Sequence, residues 1–165
     1  MGYWESSGKS DEWYTPQLVF DALGCQFDLD VAGDANAPAY CVPAPVALSG
    51  EGLSQRWTGF VWMNPPFGGR NAILPWLDKF FEHGHGIALT PDRTSAPWFQ
   101  DAATKAQAIL FTRKIKFNRP DGSPGISPSN GTALMAAGNY AVAALHRAAM
   151  QGFGVMALPL AVRAA

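Results

Sequence analysis

The chain has 165 residues, 48% hydrophobic and 15% charged, with a net charge of -1. That length suits one domain with a full core, and the composition excludes a disordered chain. A near-neutral balance gives no general basic surplus, so contact with nucleic acid would have to come from a local patch.

In chain order, residues 1–12, "MGYWESSGKSDE", read as a flexible polar arm, and residues 13–165 as a single domain. "YTPQLVFDALG" predicts a helix with Thr15 as cap, Pro16 in its first turn and Gly24 at its end. "FDLDVA", residues 27–32, predicts a strand followed by an irregular Ala- and Pro-rich stretch. "FVWM", residues 60–63, is a continuous apolar run that suits a buried parallel strand. "NAILPWLDKFFEHG" predicts a helix, "GIALT" a strand, and "SAPWFQDAATKAQ" a helix with Ser95 as a possible cap. "AILFT" predicts a strand, and "RKIKF" a basic strand leading into a long Gly/Pro/Ser loop. "TALMAAG", "NYAVAALHRAAMQG" and "FGVMALPL" complete the pattern as strand, helix and strand. Strands alternating with helices imply an α/β fold, with a largely parallel sheet and helices on both faces. In such sheets ligands sit beyond the carboxyl ends of the strands.

Cys25 and Cys41 form no CxxC pair and read as reduced thiols. His83 and His85 alternate with glycine after a helical run and read as a solvated helix end, so no metal site is expected. No apolar window reaches membrane-span length, so the expectation is a soluble, cytoplasmic protein without a membrane partner.

The unusual stretch is Asn64-Pro65-Pro66-Phe67, directly after the apolar run and followed by Gly68-Gly69. An Asn side-chain oxygen accepts hydrogen bonds without carrying charge. Pro65 lacks an N–H, and two prolines stiffen the turn. The Asn64 oxygen and the Pro65 carbonyl can then converge on an –NH2 group of a flat ring, with Phe67 stacked on its face. The amino nitrogen of adenine is a poor nucleophile because its lone pair is delocalised. Two acceptors on its hydrogens favour a pyramidal nitrogen whose lone pair can meet a sulfonium methyl in line. The plain alternative is a turn that ends a strand.

These four residues resemble the catalytic motif of amino-methyltransferases. "DEWYTP", residues 11–16, is similar to the segment that helps hold S-adenosylmethionine (SAM) in those enzymes, and "FDLDVAGDANA" to a reduced form of their cofactor motif. "GEGLSQRW", "LTPDRTSAPWF" and "RKIKF" resemble blocks of the phage-type DNA N6-adenine methyltransferases, the Dam family. The resemblance spans about residues 11–120. It implies a single Rossmann-like SAM-dependent methyltransferase domain, encoded by a phage or prophage and working on double-stranded DNA in the host cytoplasm. It implies Trp13, Tyr14, Thr15, Pro16, Asp30, Ala32 and Glu51 on the cofactor side, and Asn64, Pro65, Pro66 and Phe67 around the target base. The usual glycine-rich turn after the Asp is replaced by Gly33-Asp34-Ala35, and no second acidic strand is visible.

Asp28 and Asp30 point to opposite faces of a strand, and Asp30, nearer the carboxyl edge, is the expected cofactor residue. Arg70, Arg93, Lys114, Lys116 and Arg119 are candidates for phosphate contact, against the alternative of a solvated edge guarded by lysines. Trp98 fits the core better than a contact role. Modifying a base inside duplex DNA requires turning it out of the stack, and a single domain suggests short or relaxed sequence specificity. Two rival readings remain at this level: a methyltransferase of protein glutamine or RNA adenine, and a non-catalytic nucleic-acid-binding module. Either a monomer or a homodimer is compatible with the sequence.

Overall fold

The computed structural model describes residues 13–33, 42–66, 68–69, 71–125 and 130–160. The expected arm, residues 1–12, therefore lies outside the described residues, as do Cys41, Phe67 and Arg70. Ten elements follow in order: α1 (Gln17–Leu23), β1 (Leu29–Asp30), β2 (Val61–Met63), α2 (Leu74–His83), β3 (Gly86–Pro91), α3 (Pro97–Lys105), β4 (Ala108–Thr112), β5 (Thr132–Ala137), α4 (Asn139–Met150) and β6 (Gly154–Ala157).

The strands form one six-stranded sheet in the order β1-β2-β3-β5-β4-β6. β1–β2 and β2–β3 pair in parallel, while β3–β5, β5–β4 and β4–β6 pair antiparallel. The expectation of a largely parallel sheet is thus corrected to a mixed one. The reason lies in the connections. α2 carries the chain back across the sheet between β2 and β3, as parallel neighbours require. After β4 no helix makes that crossing. β4 ends at the carboxyl edge and β5 starts from that same edge, so β5 runs opposite to both β3 and β4.

Helices do cover both faces, because strand residues alternate sides. Trp62, Ile87, Leu89, Leu110 and Leu134 pack beneath Val19, Phe20 and Leu23 of α1 and Ala144, Leu145 and Ala148 of α4. Val61, Met63, Ala88, Ile109 and Met135 pack against Leu77 and Phe80 of α2 and Phe99 and Ala102 of α3. The alanines on α4 let that helix lie close to the sheet. Trp98 packs against the second of these clusters.

Local ends differ from expectation in three places. Gly24 does close α1 in the left-handed conformation. Thr15 makes no capping bond to that helix, and neither does Ser95, since Ala96 precedes α3. Residues 113–117 form no strand; they leave β4 as irregular chain and join only an isolated bridge at Asn118. Ile115 is buried there while Lys114 and Lys116 are exposed, so the alternation survives without the ladder. Among the described residues no helix is long and apolar enough to cross a membrane.

Candidate active site

β1, β2 and β3 all end at the same edge of the sheet, and the two acidic residues of β1's segment part company there. Asp28 is structural: its Oδ2 accepts the Phe60 backbone N–H at 2.7 Å, locking the turn that leads into β2. Asp30 lies on the last pair of the β1–β2 ladder, opposite Trp62. Its backbone is tied on the other flank to Val46 and Leu48. Its side chain is 8% exposed, and the only hydrogen bond it receives among the described residues is a long one, 3.3 Å, from the Ala32 N–H. Burial raises its pKa to about 7, with the Ala32 N–H pulling the other way. No cationic side chain among the described residues pairs with it.

The surroundings of Asp30 leave no room for larger residues. A Cβ on Gly33 would fall 2.7 Å from Asp30 Oδ2 and 2.8 Å from the Ala47 Cβ. A Cβ on Gly52 would strike the Val31 carbonyl oxygen, so only glycine lets the 51–55 turn rest on the end of β1. Nothing local in "GEGLSQRW" tells why a glycine stands at position 52; the close approach to Val31 reveals its part. That turn is held by Trp57, whose indole N–H donates to the Gly52 carbonyl at 2.7 Å. Lys79 covers the turn's open carbonyls at Gly52, Leu53 and Gln55 (3.1, 2.7 and 2.5 Å) and lies over the Trp57 ring. Glu51 is thereby carried beside the end of β1, exposed, while its backbone carbonyl caps the turn.

One strand over, Asn64 follows β2 directly and is half-buried; Pro65 is buried and Pro66 exposed. The Asn64 amide donates through Nδ2 to the Thr15 hydroxyl at 3.2 Å. Its Oδ1 meets no donor among the described residues. Thr15, 3% exposed, sits between two fixed neighbours. Tyr14 exchanges two backbone hydrogen bonds with Asn118, 3.0 and 2.9 Å, and Pro16 precedes the first residue of α1. The link between Thr15 and Asn64 joins residues 49 apart in the chain and had no signal in the sequence.

Asn118 bridges in turn to Pro124, which makes residues 117–125 a small hairpin against the Tyr14 strand. Trp13, 46% exposed, lies against Gly125 of that hairpin. Arg119 is turned inward on it, donating to Ser123 Oγ at 3.3 Å and the Pro124 carbonyl at 2.8 Å. Lys114 and Lys116 stand exposed before the hairpin, and Arg93 is exposed in the turn after β3.

The other groups are structural. His83 Nε2 meets the Gly59 carbonyl at 2.8 Å at the end of α2, and His85 packs on the Phe60 ring. Among the described residues no three His, Cys, Asp or Glu side chains gather in a way that could hold a metal ion. Cys25 is buried, which pushes its thiol up to about 11. A surface hollow lined by Asp78, Glu82, Lys105 and Gln107 lies across the sheet, beside the start of β3, and takes no part in the Asn64 edge.

The edge thus combines an amide oxygen that meets no donor among the described residues, a peptide carbonyl on a proline turn, and a buried carboxyl group without a cationic partner among the described residues. No curated protein and no solved structure matches this chain. The family model described as DNA N-6-adenine-methyltransferase (Dam) matches residues 5–157, nearly the whole length and every element described above. The chain belongs to the Dam family of DNA N-6-adenine-methyltransferases.

Proposed function

We propose that the carboxyl edge of β1 and β2 is the methyl-transfer centre, receiving an adenine turned out of duplex DNA at Asn64 and Pro65 and the cofactor along the end of β1. The family's reaction takes its methyl from a SAM-type donor. The residues present fit such a group. Asp30 is a buried carboxylate without a cation, next to a glycine step at Gly33 and the close-packed Gly52 turn. Its carboxylate can accept hydroxyl or ammonium hydrogens, with Ala32 and Glu51 on the same side, and Tyr14 and Pro16, which flank the Thr15 held by Asn64, complete the cofactor side in this reading. We read β1, β2, α2 and β3 as the surviving parallel unit of a Rossmann-like cofactor fold, since the candidate site lies at the carboxyl ends of these strands.

SAM, when bound, supplies an electrophilic methyl carbon whose bonding pair returns to sulfur on transfer. The protein's task is the amine. Asn64 Oδ1 and the Pro65 carbonyl accept its two hydrogens, which concentrates the lone pair on nitrogen and stabilises the positive charge that develops there. One of those hydrogens leaves as a proton after the N–C bond forms. Phe67 is placed by sequence next to the turn and supplies the stacking face in this reading. Lys114, Lys116 and Arg93 are the exposed cations for phosphate contact, with Arg70 a further candidate by sequence. Arg119 acts by shaping the hairpin.

The observation that carries the reading is the Asn64 amide, tied at its nitrogen and, among the described residues, open at its oxygen, one strand from Asp30. A labelled-methyl transfer assay with duplex DNA, RNA and a glutamine-containing protein substrate tests it. Transfer to adenine N6 in duplex DNA is the expected result. Transfer confined to RNA or protein, or no transfer with intact SAM binding, overturns it.

A further inference from the structure

We propose that Thr15 is a positioning residue for methyl transfer: its hydroxyl anchors the Asn64 amide at Nδ2 and leaves Oδ1 as the end that meets the target amine. This rests on the reading of Asn64 given above. The need is a matter of hydrogen-bond type. An amide has one end that accepts and one that donates. Turned the wrong way, Asn64 would present N–H groups to the amine's N–H groups, and the acceptor pair would be lost.

Thr15 Oγ1 lies 3.2 Å from Nδ2 and accepts its hydrogen. A hydroxyl can serve either end of an amide, so Thr15 fixes where the amide sits, and the incoming amine, which offers hydrogens, selects Oδ1. Thr15 is well placed to do so because it is itself held. The Tyr14 backbone is clamped to Asn118, Pro16 fixes the following residue's approach to α1, and the side chain is 97% removed from solvent. The hydroxyl is not occupied as a helix cap. The contact also ties the hairpin of residues 117–125 to the transfer centre through a single residue step, Tyr14 to Thr15.

The test compares Thr15→Val, which keeps shape and removes the hydroxyl, with Thr15→Ser, which keeps the hydroxyl. Single-turnover methyl transfer to duplex DNA at saturating SAM is measured beside SAM affinity by calorimetry. Thr15→Val is expected to transfer about tenfold more slowly, the loss of one oriented hydrogen bond, with SAM affinity within about twofold of wild type. Thr15→Ser is expected to recover most of the rate. Combined with Asn64→Ala, Thr15→Val should add no further loss, because the group it positions is gone. If Thr15→Val does not fold, Thr15→Ala is compared with Thr15→Ser in the same way. The proposal is overturned by a hydroxyl deletion that transfers at the wild-type rate, or by one whose whole defect is weaker SAM binding. Multiplicative losses in the Asn64→Ala background overturn it as well. An inactive wild-type protein would instead remove the reading of the site itself, so the two failures are distinct.

Discussion

The two halves of the sheet treat the polar groups at their shared edge in opposite ways. On the antiparallel side, Thr112 and Thr132 face each other, with Oγ atoms 2.7 Å apart and a further bond from Thr112 to the Thr132 carbonyl at 3.1 Å. Each hydroxyl is used within the fold. On the parallel side, among the described residues, Asp30 is buried with one long side-chain hydrogen bond, and Asn64 leaves its oxygen open. At the end of β3, Thr90 keeps a buried hydroxyl with no partner among the described residues. Folding alone penalises such groups, since an unsatisfied buried polar atom costs about 1–3 kcal/mol. The difference separates a half whose polar groups are satisfied within the fold from a half whose groups are not, and the second is where the proposed ligands would bind.

The largest test of that contrast is Asn64→Ala. It should fold and bind SAM, yet lose methyl transfer by about two to three orders of magnitude, the usual cost of one preorganised charge-stabilising group. Rate and SAM affinity measured together decide it, and wild-type turnover would erase the distinction between the two halves.

Asp30→Asn sharpens the comparison through pH. In the fold the Asp30 carboxyl ionises near pH 7, against 3.8 for the ordinary group. The folded state therefore holds the proton more tightly, and this stabilisation is full below about pH 4 and lost as pH rises through about 7. The free protein should lose up to a few kcal/mol of stability across that window, and Asp30→Asn should flatten the curve and be the more stable variant at pH 8. SAM affinity of the wild type should tighten over the same rise, as the carboxylate becomes available to the cofactor, and that of Asp30→Asn should not. Thermal unfolding and calorimetry from pH 4 to 8 read both.

On the antiparallel side, the chain leaving β4 carries Lys114 and Lys116 into solvent. Replacing both with Ala should weaken DNA binding without changing the single-turnover rate at saturating DNA. The log–log salt slope should fall by about 2, near one per phosphate contact. An unchanged slope would make them guards of an exposed segment. The smallest effect belongs to Thr132→Val, which should cost about 1 kcal/mol of stability and leave transfer and SAM affinity unaltered. A catalytic defect there would show that the satisfied half of the edge also serves the reaction.

Much of this was legible in the residues. Apolar runs and helix-ending glycines placed the elements, and the Asn-Pro-Pro turn fell at a strand's carboxyl end, where uncharged acceptors are uncommon. Alternation sets Asp28 and Asp30 on opposite faces and nearness to the carboxyl edge favours Asp30, while the fold sends Asp28 to the Phe60 N–H. Thr15 was less readable. Its place before Pro16 suits a helix cap, and nothing local tells a capping hydroxyl from one that reaches a residue 49 positions away. Arg119 likewise reads as a cation for phosphate, and only the fold shows its bonds to Ser123 Oγ and the Pro124 carbonyl within the hairpin.

By itself the sequence determined the kinds of elements, the two-faced burial of each strand and the chemistry available after "FVWM", because these follow from periodicity and residue type over short spans. The tertiary structure alone decided the strand order, the insertion of β5 against its neighbours and the meeting of Thr15 with Asn64. Those depend on which edge the chain leaves and re-enters, a property of whole connections that no local pattern encodes.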